Sequence, residues 1–237
     1  MVNTIFILDE YYKTQKVLTV GGANTFFDDL YTTDLSTGVE SFEFSTNVDD
    51  LNESNYIMFY YHNQYKLFQI TELEQEHNEG QIITYCYGES VCLELLNDVV
   101  RAFNQQFNCI AFFAHVLRDT NWSIGRYSSS LADKVAYVDV KNTTQIWSCI
   151  QDHMDVFGYE LNIRVAYENG YVRHKFIDIY AEGELGNKTY KRFEYGRNVK
   201  GITKKKDLYD WCTALVIDND SEDLLNVEYE QGCFIKT

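Results

Sequence analysis

Cysteine and histidine are the side chains of this sequence that come nearest to a pattern for nucleophilic catalysis. Cys109 and Cys149 lie in predicted helical segments that also contain His115 and His153, so a thiol with an imidazole base is one arrangement to consider. A reactive thiolate needs a lowered pKa and access to solvent, and nothing near either cysteine indicates both. The serine run 128–130 lacks a surrounding Gly-x-Ser-x-Gly pattern. We therefore predict no catalytic residue.

Metal and phosphate sites have equally little support in the sequence. The acidic loop 218–223 offers oxygen ligands for calcium, but it lacks the glycine and the glutamate that a calcium-binding loop carries at its sixth and twelfth positions. Gly21 and Gly22 precede neither a helix nor a Lys-Ser/Thr pair. The cysteines form no CxxC pair and no zinc spacing with histidine; they are Cys86, Cys92, Cys109, Cys149, Cys212 and Cys233. We expect no metal, no cofactor and mostly buried thiols in a reducing cytosol.

Length and composition limit the classes of protein to which this chain can belong. The chain has 237 residues, which predicts one large domain or two small ones. Hydrophobic residues make up 45% and aromatic residues 16%, which excludes an intrinsically disordered protein. No apolar stretch approaches the ~18–20 residues that span a bilayer, so we expect no stable membrane insertion.

The negative charge is concentrated in the first part of the chain. The net charge is −16, and residues 1–100 hold three basic and seventeen acidic side chains, a net charge of −14. Such a segment repels phosphate within a Debye length. Nucleic-acid binding is therefore not expected as the main function of that half.

Short apolar or alternating segments predict strands in the first 88 residues. They lie at 4–8, 17–20, 39–44, 56–61, 65–70 and 81–87. Asn63 and the sequence Asn78-Glu79-Gly80 supply turns. We predict a compact antiparallel β unit of about six strands, as a small barrel or a sandwich.

Helical spacing appears after residue 88. It predicts helices over 89–104, over 109–117, and from an N-cap cluster at 142–144 to Phe157, with Gly158 as the residue that ends the last helix. Between and after them we predict a strand end and turn at 122–125, a strand at 135–140, and a hairpin of 159–167 and 171–181 around Glu168-Asn169-Gly170. The fold class predicted is β-rich α+β, divided into residues 1–88, an inserted α+β domain 89–190 and a returning β segment 191–237.

Two features of the sequence each allow more than one interpretation. Residues 191–206 carry seven basic side chains and one glutamate, a net charge of +6, in alternation with apolar side chains. This pattern suits nucleic acid, but a protein–protein contact or a neutralising acidic neighbour is favoured. The tyrosine-rich strands at 56–61 and 85–87 fit either a carbohydrate-binding platform or ordinary core packing, and core packing is favoured.

The order of several motifs is more specific than any of these sites. The tract Tyr195-Gly196-Arg197-Asn198-Val199-Lys200-Gly201-Ile202, followed by Asp207 and Thr213-Ala214-Leu215, resembles a signature of phage tail proteins. That signature reads Tyr-Gly-Lys-Asn-Leu-Lys-Gly-Ile, then a polar stretch with Asp, then Thr-Arg-Leu. Residues 65–73, 89–99 and 119–125 are similar to further elements of the same proteins, in the same order. Asn121 and Ala214 depart from the usual Gly and Arg.

The family resembled is the N-terminal tail-tip hub or tail-associated lysin region of siphophages that infect Gram-positive bacteria, which is related to the baseplate central hub. The resemblance implies tube-like antiparallel β-barrel units with an inserted α+β domain. It also implies no enzymatic activity in this part, because cell-wall hydrolase domains of the family follow on the C-terminal side. The residues it marks as motif candidates are Tyr195, Gly196, Asn198, Gly201, Trp122 and Gly125.

The resemblance further implies a place in the virion. Family members form a homotrimer at the tail tip, are assembled in the host cytoplasm, and contact the distal tail protein ring, the tape-measure protein and in some phages a spike or fibre chain. DNA passes through them without specific binding. We expect Lys204, Lys205 and Lys206 to take part in assembly through acidic neighbours. A tail-associated peptidoglycan endopeptidase and a receptor- or carbohydrate-binding module are the competing functions.

Overall fold

Strands dominate the structure, a computed structural model that describes residues 2–78, 81–186 and 192 together with strands Ala214–Val216, Val227–Glu230 and Cys233–Lys236. The chain divides into two compact units, Met1–Asn187 and Lys188–Thr237. The predicted β-rich α+β class is confirmed. The finer division at residues 88 and 190 stays a prediction.

Seven antiparallel strands build the first part of the larger unit. They are β1 (Thr4–Leu8), β2 (Thr14–Thr19), β3 (Phe26–Thr33), β4 (Glu40–Thr46), β5 (Tyr56–Tyr61), β6 (Gln64–Asn78) and β7 (Gln81–Ser90). Their order is β2-β1-β5-β6-β7-β4-β3, and the sheet curls into a half-barrel. The six predicted strands are all present. The prediction missed β3, whose alternation is broken by a bulge at Asp28, a residue with a φ of 56°.

Local turn chemistry sets the register of two hairpins. Between β5 and β6, His62 and Asn63 have φ angles of 46° and 63°, as a type I′ turn requires. Asn169 and Gly170 have φ angles of 52° and 84° and connect the hairpin predicted at 159–181. These two predicted turns are therefore confirmed, because they depend on residues that tolerate a positive φ rather than on distant contacts. The turn predicted at Asn78-Glu79-Gly80 stays a prediction, since Glu79 and Gly80 lie outside the described residues.

Phenylalanine fills the inside of the half-barrel. Phe59 lies at the centre, with ring centroids 4.5 Å from Phe42 and 5.4 Å from Phe68. The edge of Tyr31 packs against the same ring at 5.4 Å. Along β4 these inward positions alternate with less buried ones, so the aromatic excess of the sequence is used largely for packing.

Residues 91–181 add short helices and seven more strands. They are the 3₁₀ helix Val91–Leu96, β8 (Val99–Val100), β9 (Phe103–Asn108), α1 (Cys109–Val116), β10 (Trp122–Tyr127), α2 (Ser129–Ala132), β11 (Val135–Val140), β12 (Thr144–Gln145), α3 (Ile146–Asp152), α4 (Met154–Phe157), β13 (Tyr159–Glu168) and β14 (Tyr171–Ala181). β13 joins the main sheet through the pair Val165 and Tyr65, and β14 and β10 follow it outward. The pairs β8–β12 and β9–β11 form two small separate sheets.

The helix predicted over 89–104 is wrong. The structure has a 3₁₀ helix over Val91–Leu96, and the chain then enters β8 and β9. Pairing with β12 and β11 holds this backbone extended, so tertiary contacts override a helical spacing of apolar residues. Val99, which the helical pattern would bury, is exposed.

Two further boundaries differ from the prediction, while one is confirmed. The segment predicted as a strand end and turn at 122–125 is strand β10, which runs parallel to β14. The predicted N-cap cluster at 142–144 does not cap a helix, because Thr144 pairs with Val100 and α3 begins only at Ile146. Gly158 does end α4, in the left-handed conformation with a φ of 62°.

The smaller unit contains the last three described strands. They are β15 (Ala214–Val216), β16 (Val227–Glu230) and β17 (Cys233–Lys236), and the strand order is β15-β17-β16. The pairing of β15 with β17 is parallel and that of β16 with β17 is antiparallel. The predicted return to β structure is therefore present in this unit. Across the described part of the whole chain, no helix is long and apolar enough to cross a membrane.

Four cysteines are buried free thiols, as predicted; they are Cys86, Cys92, Cys109 and Cys149. Burial raises the pKa of Cys86, Cys109 and Cys149 to about 12. A thiol with a raised pKa stays protonated and unreactive at pH 8.

We expect a Cys212→Ser/Cys233→Ser variant to resist a thiol reagent at pH 8 in the native state. Unfolding in urea should release four reactive thiols, because only burial protects them. Absorbance after addition of a disulfide reagent measures the number of reactive thiols in the native variant and in the unfolded variant. Rapid modification of the native variant would show that one of the four thiols is accessible.

Candidate functional site

The structure shows which groups the two histidines considered for catalysis contact. His153 Nδ1 lies 2.7 Å from the backbone oxygen of Cys149, not from its thiol, and the His115 ring packs between Phe103 and Phe107. Burial and the nearby Arg118 lower the pKa of His115. Within the described residues, no group of three or more His, Cys, Asp or Glu side chains is placed to hold a metal ion.

Most motif candidates lie outside the described residues. These are Tyr195, Gly196, Asn198, Gly201, Lys204, Lys205 and Lys206, and the acidic loop 218–223 lies outside them as well. Their assignment to assembly stays a prediction. Trp122 and Gly125 are described, and both lie on β10.

Trp122 belongs to a half-buried charged cluster. Its Nε1 donates a hydrogen bond of 2.6 Å to Glu94 Oε1, and the same carboxylate forms an ion pair with Lys175. The hydroxyl of Tyr12 donates to Glu94 Oε2 at 3.3 Å. The ammonium of Lys175 lies 5.5 Å from the Trp122 ring centroid and 5.2 Å from that of Tyr12, within the range of a cation–π contact. This cluster ties the 3₁₀ helix, β10 and β14 together.

Gly125 makes room for a second charged group, the carboxylate of Asp178. A Cβ on Gly125 would lie 1.9 Å from Asp178 Oδ1 and 2.9 Å from Nη2 of Arg164. Asp178 is fully buried, and Arg164 Nε donates to both of its oxygens, at 3.1 Å and 2.8 Å. The backbone N–H of Arg126 donates to Oδ1 at 2.7 Å. Glycine is therefore required where β10 passes over this ion pair.

The structure thus places both described motif candidates on one edge strand, fixed by two ion pairs of β13, β14 and the 3₁₀ helix. In the first group, Tyr12 and Lys175 also line an open pocket, together with Asn121. The geometry fits a scaffold that holds β10 in a defined position.

A third polar group was not predicted from the sequence. Lys66 on β6 is 3% exposed, and its Nζ donates to Glu40 Oε1 at 2.5 Å and to Asn162 Oδ1 at 3.0 Å. One signal was available, because Lys66 shares its strand face with Phe68 and Ile70, both buried. Its partners are 26 and 96 residues away in sequence, so spacing alone does not find them.

In the tyrosine-rich strands, some tyrosine side chains pack against other rings and others are exposed. Tyr61 packs edge-on against Tyr31 at 5.2 Å, whereas Tyr60 on the other face is 54% exposed. Tyr85 donates a hydrogen bond of 2.6 Å to Glu43, and this bond raises the pKa of Tyr85 to about 12. The aromatic side chains are thus committed to different neighbours and do not form one flat platform.

We expect Glu94→Ala to lower the free energy of unfolding by roughly 1–3 kcal/mol, because the buried ammonium of Lys175 and the Trp122 N–H lose their shared acceptor. Urea denaturation measures the change. The exposed Glu74 on β6 is the matched control, and Glu74→Ala should stay within about 0.5 kcal/mol of the parent protein. A Glu94→Ala variant as stable as the parent protein would contradict a structural role for this cluster.

No protein-family model matches the chain, and no curated protein matches it. Solved structures of other proteins do match this chain. The prophage tail protein gp18 from Listeria monocytogenes EGD-e superimposes with a TM-score of 0.55 at 13% identity, over 84% of this chain and 56% of that protein. This chain has the fold of a phage tail protein. A tail protein from Neisseria meningitidis MC58 follows with a TM-score of 0.51 at 10% identity, over 74% of this chain and 50% of the other.

The tail-protein fold confirms the architecture that the sequence resemblance implied. The chain spans about half the length of the two tail proteins it matches. Both are described as tail proteins, and neither description names an enzymatic activity. At these identities the two matches establish the fold of this chain.

Proposed function

We propose that this protein is a structural component of the phage tail tip, the baseplate hub of a siphophage virion. It forms a homotrimeric ring that closes or guides the tail channel and connects the distal tail protein ring to the tip. The observation that carries the proposal is the fold shared with a prophage tail protein over 84% of the chain. The ordered motifs of the sequence support the same assignment, since they come from tail-tip hubs.

The proposed partners follow from this position. The hub contacts the distal tail ring on one side, the tape-measure protein inside the channel, and a spike or fibre chain at the tip. It assembles in the cytoplasm of the bacterial host. DNA leaves through the ring during ejection and is not bound specifically.

The acidic first hundred residues suit a channel that DNA must pass without sticking. Glu72, Glu74 and Glu76 are exposed at alternating positions of β6, so they share one face of the strand. Three copies of such a face around an axis would repel the phosphate backbone. An acidic rim on the outside of the assembled ring, around a neutral or basic channel, would contradict this part of the proposal.

The basic tract 191–206 is proposed to dock against acidic neighbours. We expect the Lys204→Glu/Lys205→Glu/Lys206→Glu variant to assemble less at moderate salt, because attraction between the tract and its acidic partner becomes repulsion. Light scattering of the variant beside the parent protein measures assembly at two salt concentrations. Unchanged assembly would remove the tract from the proposal.

The solution mass of the purified chain tests the hub assignment. It is measured by light scattering, alone and after mixing with the ring protein encoded in the same genome. A trimer, or a trimer that forms on mixing, is the expected result. A chain that stays monomeric and ignores the ring, with a longer version that includes any downstream sequence behaving in the same way, would contradict it.

A further inference from the structure

Lys66, Glu40 and Asn162 meet in the interior of the larger unit, where three strands contribute one side chain each. The Lys66 Nζ donates three hydrogen bonds, to Glu40 Oε1 at 2.5 Å, to Asn162 Oδ1 at 3.0 Å and to the backbone oxygen of Ile163 at 2.8 Å. The side chains of Lys66 and Glu40 are 3% and 9% exposed, and Asn162 is buried. An amine, a carboxyl and a carboxamide are thus held in contact away from water.

The carboxamide of Asn162 is fixed in one orientation. Its Oδ1 also accepts a hydrogen bond of 2.9 Å from Gln64 Nε2, and its Nδ2 donates to Gln64 Oε1 at 3.0 Å and to Asp178 Oδ2 at 3.2 Å. The hydrogen bond from Gln64 Nε2 withdraws electron density from Cγ, which lies one carbonyl bond of about 1.23 Å beyond Oδ1. The amine therefore stands beside an activated acyl carbon.

We propose that Lys66 and Asn162 react with each other to form an intramolecular isopeptide bond, with Glu40 transferring the proton. This goes beyond the proposed function and holds whether or not the chain is a tail hub. No oxidant, reductant or co-reactant is needed, because the two side chains exchange an amide for an amide.

The steps balance in atoms and charge. Glu40 takes a proton from the Lys66 ammonium, and the freed lone pair of Nζ forms a bond to Cγ of Asn162. The electrons of the carbonyl bond move to Oδ1, where Gln64 Nε2 stabilises the developing charge. When they return, the bond between Cγ and Nδ2 breaks, Glu40 gives its proton to the leaving nitrogen and takes a second proton from Nζ, and ammonia departs.

Burial of Glu40 favours the proton transfer that begins the reaction. Desolvation raises the pKa of Glu40, while the adjacent Lys66 ammonium acts in the opposite direction. A free amine is the nucleophilic form of lysine, and holding it against the amide replaces a bimolecular encounter.

The bond would join β6 to β13 covalently. Those two strands meet in the sheet at the pair Tyr65 and Val165. The linked residues are 96 positions apart in sequence, so the bond closes a long loop and restricts the unfolded chain as a disulfide does. A protein with four buried free thiols would gain such a constraint without oxidation.

Intact-mass spectrometry of the purified full chain tests this inference. We expect the wild-type mass to fall below the calculated value by one ammonia molecule after incubation at neutral pH. Tandem spectra of a protease digest should contain a branched peptide that links Lys66 to Asn162. Glu40→Gln and Asn162→Ala should both appear at their full calculated masses, and Lys16→Met, which removes a lysine from an exposed ion pair, should keep the loss.

The wild-type measurement decides the inference by itself, so variants that fail to fold do not weaken it. A wild-type mass equal to the calculated one overturns the proposal. A loss of water with a link between Lys66 and Glu40 overturns it as well. Loss of ammonia in Glu40→Gln at the wild-type rate overturns the assignment of Glu40.

Discussion

Gly125→Ala is expected to lower the free energy of unfolding by roughly 3–5 kcal/mol, the range seen when a buried ion pair is broken. The added Cβ would lie 1.9 Å from Asp178 Oδ1, so the carboxylate must move away from Arg164 and from the N–H of Arg126. Asp178 is fully buried and has no solvent to move into. Urea denaturation followed by circular dichroism measures the loss.

A double-mutant cycle separates this clash from a simple preference for glycine in β10. In an Asp178→Ala background, Gly125→Ala should be nearly neutral, because the atom that it strikes is gone. Ser123→Ala, at an exposed position of the same strand, should change stability by less than about 0.5 kcal/mol. If Gly125→Ala had the same effect in both backgrounds, the close approach to Asp178 would not be the cause.

Phe59→Ala is expected to lower the free energy of unfolding by a similar amount, roughly 3–5 kcal/mol, through the cavity it leaves. The ring is fully buried and stacks on Phe68 with an interplanar angle of 12°, while Phe42 and Tyr31 pack on its other sides. Few neighbours can collapse into the space, since β4, β5 and β6 are held by their ladders. Thermal and urea unfolding both report the change.

The next residue along the strand is the matched control for Phe59. Tyr60 is 54% exposed, and Tyr60→Ala should lower stability by about 1 kcal/mol or less. Its ring packs against Tyr65 at 5.0 Å, so a small loss is expected rather than none. Similar losses at both positions would mean that Phe59 is not more deeply buried than Tyr60 in the folded protein.

Short-range signals predicted the first part of the fold well. Alternation along β4 and turn residues such as Asn63 and Gly170 depend on neighbours in sequence, and the structure has strands and turns there. The segment 89–104 shows the opposite case. Its apolar residues have helical spacing, but their pairing partners begin some 30 residues later, and those partners decide the conformation.

The candidate site was predicted only in part, for the same physical reason. The sequence motif marks Trp122 and Gly125, and the structure shows that both contact buried charged groups. Their partners Glu94 and Asp178 are 28 and 53 residues away, so no spacing rule connects them. A buried lysine such as Lys66 is also rare enough that sequence reasoning assigns it to the surface by default.

Labelling of virions tests directly whether this chain is a component of the tail tip. Particles produced by the phage or prophage whose genome encodes this chain are incubated with a gold-labelled antibody against residues 2–186 and viewed by electron microscopy. We expect gold at the distal end of the tail. Gold on the capsid or along the tail tube, or particles with intact tails that contain none of the chain by mass spectrometry, would contradict it.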